Sequence, residues 1–317
     1  MNNGKGIRTT LEDKIYGDIQ AEIWKYYDDE GIEYKRKDDD ENTLLDFLSY
    51  LYKLIPQTKR NVHYSAELSQ KINCNEIPDK YIEVLKEYET AFSEGKDMNI
   101  FLSNNIKKPH ETDFLLYTWH LFHLHMSGKF VEDKQLMKNN RSDTQLLCII
   151  TLCDVYFIDV IPHPSKAEEY FDIESLKIIV KNGWMEKIGF YEMSDMIPGT
   201  LQPKITENKD IFMLYSKGSM NVAFEFQGKG YCSLEPMSAN RKPYAAGQVM
   251  LKITEVIHEM NSVDGIYKGF QFGRGRRGEL LGLVKFELAT KETKYYDIFT
   301  GKPKSSFPHI ESKNDIQ

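Results

Sequence analysis

The sequence predicts an α+β protein: a helical N-terminal region, a small central antiparallel sheet with helices, and a β-rich C-terminal domain. Three observations carry this reading. Apolar residues recur at helical spacing through the first third. Two strongly β-like runs, LLCIIT and VYFIDV, stand close together in the middle. Short alternating runs separated by KGS and GKG turns fill much of the last third. The changes of period fall at KKPHETD and at MSDMIPGTLQPK, which divides the chain into a helical region 1–112, a central α+β domain 113–195 and a C-terminal α+β domain 196–317.

Taken in order, Thr10 followed by Glu12 and Asp13 marks a helix start with an oxygen cap and acids in the first turn. Leu11, Ile15, Ile19, Ile23 and Tyr26 then repeat on one face. The charged stretch DDEGIEYKRKDDDEN reads as a solvated connection. LLDFLSYLYKLI follows at helical spacing and is stopped by Pro56, which lacks an amide hydrogen. Ser65 and Glu67 start another helix, and Pro78 to Gly95 a further one with Tyr81, Val84, Leu85, Tyr88 and Phe92 on one side.

The stretch from Asp113 to His163 holds four of the eight histidines, His120, His123, His125 and His163. FLLYTWHLFHLHM fits either a buried helix or an extended run. On a helix His120 and His123 share a face; on a strand His123 and His125 do. LLCIIT and VYFIDV read as an antiparallel hairpin, with Tyr156, Ile158 and Val160 on one side and Val155, Phe157, Asp159 and Ile161 on the other. His163 stands where the second strand runs out. A helix over Phe171 to Asn182 follows, and in the last third IFMLYS, NVAFEFQ and GYCSL read as a β-meander. VMLKITEVIHEM reads as a helix, and GIYKGFQF, LLGLVKFELA and KYYDIF as strands.

Composition narrows the function classes. A net charge of -7 over 317 residues leaves no broad basic face for nonspecific nucleic-acid binding, although a local one is compatible with it. Cys74, Cys148, Cys153 and Cys232 lack C-x-x-C spacing and read as buried free thiols of a reducing cytoplasm. The N-terminus lacks an apolar leader segment, and no run approaches the ~20 apolar residues of a membrane span, so a cytoplasmic protein without membrane contact is expected. Oligomeric state is not fixed by these features.

The hairpin LLCIIT…VYFIDV, an arginine (Arg141) in the loop that leads into it, and a terminal histidine (His163) resemble the β-sheet core of the RelE/HigB-type bacterial ribonuclease toxins. The resemblance covers about residues 113–193. It implies a small twisted sheet with helices on one side and RNA cleavage by basic and aromatic groups, with Arg141 matching the arginine that enters the hairpin and His163 the basic residue at its end. Members of that family are small and basic. This chain is long and acidic, and PHPSKAEEYFDIESL adds a helix after the hairpin.

The chemistry of RNA cleavage without metal suits these residue types. A base takes the ribose 2′-hydroxyl proton, an acid protonates the leaving oxygen, and a cation steadies the phosphorane. Histidine, with an ordinary pKa of ~6.5, can do either proton transfer, and arginine offers a fork that matches phosphate oxygens. His125 is expected as base, His163 as acid, Arg141 as stabiliser and Tyr156 as substitute donor, with His123, Arg274, Arg276 and Arg277 holding substrate. The three last arginines sit in FGRGRRGE, which suits a plain hairpin loop better than a ligand site. RNA is the expected partner, in a toxin or antiviral-defence role, and a protein partner or inhibitor fits the same features. No metal or cofactor is expected. Two alternatives stay open: a noncatalytic protein-binding or regulatory protein with structural histidines, and a metal-dependent hydrolase using H-x-x-H-x-H at His120 to His125 with Asp113, Asp154 or Asp159.

Overall fold

A computed structural model of the protein describes residues 8–37, 39–127, 142–219, 222–233, 237–274 and 280–304. It has the α+β architecture that the sequence predicts. Helix α1 (Thr10–Glu30) is capped by Thr9, one residue earlier than expected. The Thr9 side chain accepts from the Glu12 amide, the Glu12 carboxylate accepts from the Thr9 amide, and Gly31 closes the other end in the left-handed region. Helix α2 (Asp40–Lys53) takes up the end of the acidic run. Asp40 and Glu41 meet the Arg8 guanidinium, the Asp40 contact at 2.8 Å.

Strand β1 (Asn61–Tyr64) leads into α3 (Ala66–Asn73), capped by Ser65, and α4 (Asp79–Glu94), which ends at Gly95. At Gly95, φ is +77° and a Cβ would lie 3.1 Å from backbone atoms of Thr58 and Lys59, so only glycine fits. The ambiguous run FLLYTWHLFHLHM resolves into both readings: helix α5 (Phe114–Trp119), then strand β2 (Leu121–His125), with His120 at φ +54° as the pivot. Strands β3 (Thr144–Ile150) and β4 (Asp154–Pro162) form the expected hairpin, and α6 (Ile173–Lys181) follows with Asp172 as its cap.

Strand β5 (Phe190–Met193) follows. IFMLYS is not a strand but most of helix α7 (Asn208–Ser216). A six-residue apolar run does not distinguish the two by period alone; here the Asp210 carboxylate accepts from the amides of Thr206 at 2.9 Å and Glu207 at 3.0 Å, which commits the segment to a helix. Strands β6 (Phe224–Phe226) and β7 (Lys229–Ser233), helix α8 (Tyr244–Glu259), and strands β8 (Gly265–Arg274), β9 (Leu280–Leu288), β10 (Thr293–Asp297) and β11 (Lys302–Lys304) complete the described elements.

The chain forms two compact units that interleave in sequence. One draws on 1–51, 107–110 and 245–317; the other on 52–106 and 111–244. This grouping differs from the three segments read from composition, because strand pairing crosses both expected boundaries. β1 pairs in parallel with β4, and β5 pairs with β7. In the first unit, the antiparallel sheet β11-β10-β9-β8 receives α1 against β8, and Phe47 of α2 meets Phe272 at 5.1 Å between ring centres.

The second unit holds the sheet β1-β4-β3-β2, antiparallel except for its β1–β4 edge, and a three-stranded sheet β5-β7-β6. The four-stranded sheet buries both faces. Leu121, Leu147, Ile149, Tyr156 and Ile158 pack with Trp119, Phe171, Leu176 and Ile179 on one side; Leu124, Leu146, Cys148, Val155 and Phe157 pack with Leu85, Tyr88 and Phe92 of α4 on the other. The regular alternation read from VYFIDV is broken by a bulge. Leu147 faces Asp159 while Cys148 faces Phe157, so Ile158 is an extra residue. Beyond it the sides exchange: Val160 joins the cluster of Phe157, and Ile161 that of Tyr156.

The Glu12 carboxyl lies below its ordinary value, chiefly through the Thr9 amide, with His258 and Asn261, each at 2.8 Å, adding to the effect against the cost of burial. A lowered carboxyl stabilises the fold fully above its unfolded value of about 4.3 and loses that contribution as pH falls through the lowered value. Wild type should therefore exceed Glu12→Gln in urea midpoint at pH 7, and the margin should shrink at pH 3; a constant margin contradicts the linkage. The cysteines correct the expectation of four buried thiols, since Cys148 is buried but Cys74 and Cys153 are exposed. Burial pushes the Cys148 thiol far up. A disulfide-exchange reagent should label Cys74 and Cys153 promptly and Cys148 only on unfolding; prompt labelling of Cys148 would contradict its placement.

Candidate functional site

The site lies in the second unit, at the end of the four-stranded sheet where β2 finishes, β3 begins and β4 runs out. In β2, Leu121 belongs to the core on the α6 side, so His123 and His125 share that face by alternation. Across the ladder His125 pairs with Gln145, and Gln145 with Ile161. The bulge is what brings His163 to the same face. Unbroken alternation would place it with Phe157, against α4; the extra residue sends Ile161, and His163 two positions later, to the side of His125. The two imidazoles stack with ring centres 5.2 Å apart and planes 24° apart.

The backbone fixes both rings. The His163 amide donates to the Asp143 carbonyl at 2.7 Å, which extends the ladder past the last strand residue. Its Nδ1 is 2.9 Å from the Pro164 carbonyl. A carbonyl only accepts, so this contact puts a proton on Nδ1. His125 is 5% exposed; its Nδ1 is 3.5 Å from the Ser142 carbonyl, and its own carbonyl accepts from the Tyr88 hydroxyl. Asp143 accepts from the Tyr81 hydroxyl at 2.8 Å, which holds its carboxyl low.

Beside the pair is a cleft of about 280 Å³, lined by His123, His163 and Lys53 among its polar groups and by Phe114, Phe122, Phe171 and Phe212 among its apolar ones. Lys53 donates to the Glu111 carbonyl at 2.7 Å, which sets the ammonium at the cleft wall. Two polar atoms on this sheet face, His123 Nδ1 and Gln145 Nε2, are buried with no hydrogen-bond partner among the described residues. Each such atom costs about 1–3 kcal/mol, and native structures hold few of them.

The structure thus brings together His123, His125 and His163. It separates Tyr156, which lies seven residues before His163, roughly 20 Å back along the strand at ~3.3 Å per residue. There Tyr156 stacks on His63 at 4.8 Å and meets Trp184 at 4.9 Å, so it is no substitute proton donor for the pair. His63 in turn bonds Asp154 at 3.0 Å, and that contact lowers the Asp154 carboxyl. Arg274 ends β8, in the other unit. Arg141, Arg276 and Arg277 lie outside the described residues.

The H-x-x-H-x-H run does not converge. The left-handed turn at His120 aims that ring at the Tyr52 hydroxyl, 2.6 Å from Nδ1. Among the described residues no three His, Cys, Asp or Glu side chains gather as metal ligands, and no helix is long and apolar enough to cross a membrane. Asp159 is occupied by Lys71 at 2.6 Å, and burial raises its carboxyl against that contact.

Lys53, Phe212 and Gln145 were not expected at a site. Only Gln145 carried a signal in the sequence: a lone amide in an apolar strand beside the histidine-rich run. Comparison with protein-family models, with curated proteins and with solved structures finds no match for this chain.

Proposed function

We propose that the protein is a metal-independent endoribonuclease of the toxin or phage-defence type, with histidines transferring the protons. The observation that carries this reading is the stacked His125–His163 pair beside a cleft that His123, His163 and Lys53 line. The resemblance of residues 113–193 to RelE/HigB-type toxins points to the same chemistry.

In the reaction, one imidazole takes the ribose 2′-hydroxyl proton as the 2′-oxygen bonds to phosphorus. The bond from phosphorus to the next nucleotide's 5′-oxygen breaks, and a second imidazole, protonated, gives that oxygen its proton. The products are a 2′,3′-cyclic phosphate and a 5′-hydroxyl. His163 serves as acid. Because His125 is buried and does not line the cleft, His123 takes the role of base and His125 acts through His163, holding its ring. Lys53 brings positive charge to the wall where the phosphorane forms.

The burial of His125 also favours a second reading, a noncatalytic binding protein in which the stacked pair is structural. The two readings part on one test. Purified full-length protein with single-stranded RNA in excess chelator should cleave the RNA and leave DNA of the same sequence intact, since DNA lacks the 2′-hydroxyl. Intact RNA, with and without ribosomes, would favour the binding protein.

A further inference from the structure

Proton transfer accounts for one end of the cleft but not for its aromatic wall. Phe114, from the start of α5, and Phe212, from α7, are both half-buried and flank the buried Phe171. The ring centres of Phe114 and Phe171 are 6.1 Å apart and those of Phe171 and Phe212 6.3 Å, with Tyr215 stacked on Phe171 at 5.1 Å behind them. Three chain segments distant in sequence thus build one aromatic wall, in which the planes of Phe114 and Phe212 are tilted 60° and 47° from that of Phe171. The basic groups His123, His163 and Lys53 line the same cavity together with Glu111 and Asp113, and the Asp113 carboxylate is engaged there, accepting from the Leu116 amide at 3.0 Å.

A ligand that satisfies both parts carries a flat, apolar-faced ring joined to an anion. A nucleotide is such a molecule. Every base presents a π face, so stacking on phenylalanine tolerates sequence, while the phosphate meets the cations. Size limits the choice further. At about 280 Å³ the cavity lies just below the range of ~300–1,000 Å³ usual for small-molecule sites, which suits one nucleotide and not a stretch of helix. A base inside a duplex has both faces covered by its neighbours and cannot reach this wall without leaving the stack.

We infer that the cleft is the subsite for a single unpaired nucleobase, stacked on Phe114 and Phe212 with its phosphate toward His123, His163 and Lys53. This rests on the ribonuclease reading for the identity of the polymer, and it makes single-stranded RNA the substrate class.

The test compares adenosine 5′-monophosphate with ribose 5-phosphate, which lacks the base, by calorimetric titration of the full-length chain. The base should strengthen binding at least tenfold. Phe212→Leu should remove that advantage and leave ribose 5-phosphate unchanged, with Phe114→Leu as the second variant should the first melt at lower temperature. Equal binding of the two ligands, binding of neither, or an advantage that survives both variants would overturn the inference. Cleavage is read separately on single-stranded and fully paired RNA. Base-dependent binding without any cleavage removes the ribonuclease reading and keeps the subsite; equal cleavage of both RNAs keeps the ribonuclease and removes the subsite.

Discussion

On the ribonuclease proposal, His163→Ala should lower RNA cleavage by about 10²–10⁴-fold, the usual contribution of a positioned general acid, with little change in thermal midpoint. The small structural effect follows from how the residue is held. The backbone amide of His163, not its ring, makes the ladder contact to the Asp143 carbonyl at 2.7 Å, so alanine preserves it. The ring is half-buried at the cleft, so its removal opens little core. His125→Ala should behave differently: at 5% exposure, truncation leaves a cavity beneath His163 and lowers both stability and rate. Rates for the two variants, each beside its melting curve, check this pair of expectations. Wild-type cleavage by a folded His163→Ala protein would remove His163 from the mechanism.

Phe157→Ala should destabilise the second unit by about 3–5 kcal/mol, the cost of emptying an aromatic site in a packed core. Phe157 is fully buried in β4, with Tyr64 at 5.2 Å and Phe92 at 6.0 Å between ring centres. Those neighbours come from β1 and α4, two different elements closing on one side chain. Tyr64 and Phe92 are anchored by their own backbone elements, so collapse into the void is limited. Urea unfolding of the full chain, followed by a probe of the second unit, measures the loss. A shift below about 1 kcal/mol would mean that the core on the α4 side of the sheet is not packed as described.

The sequence made the helices legible where period and punctuation agree. Pro78 and Gly95 bound α4, and Asp172 and Asn182 bound α6 as read. The β3–β4 hairpin was legible from its β-branched and aromatic residues. What could not be read is any feature that depends on register. A single extra residue opposite Leu147 decides which face His163 joins, and nothing in VYFIDVIPH marks it. The same limit hid the switch at His120, where a helix becomes a strand within one apolar run through one left-handed residue.

The site was half legible for a related reason. A cluster of histidines within one stretch is visible in the sequence, and the fold does join His123, His125 and His163. Lys53 and Phe212 reach the cleft from segments far from that stretch, Lys53 as the last residue of a helix and Phe212 from a helix that the apolar run IFMLYS did not reveal. Tyr156 failed as a site residue because sharing a strand with His163 means only sharing its line, and seven residues of strand is too far for a proton.

The end chemistry of the RNA fragments tests proton transfer by histidine most directly. Full-length protein is incubated with single-stranded RNA in excess chelator and the fragments are weighed by mass spectrometry. Transfer of the 2′-hydroxyl proton to histidine predicts fragments ending in 2′,3′-cyclic phosphate, each followed by a fragment that starts with a 5′-hydroxyl. Fragments with 3′-hydroxyl and 5′-phosphate ends, or RNA left intact, would contradict it.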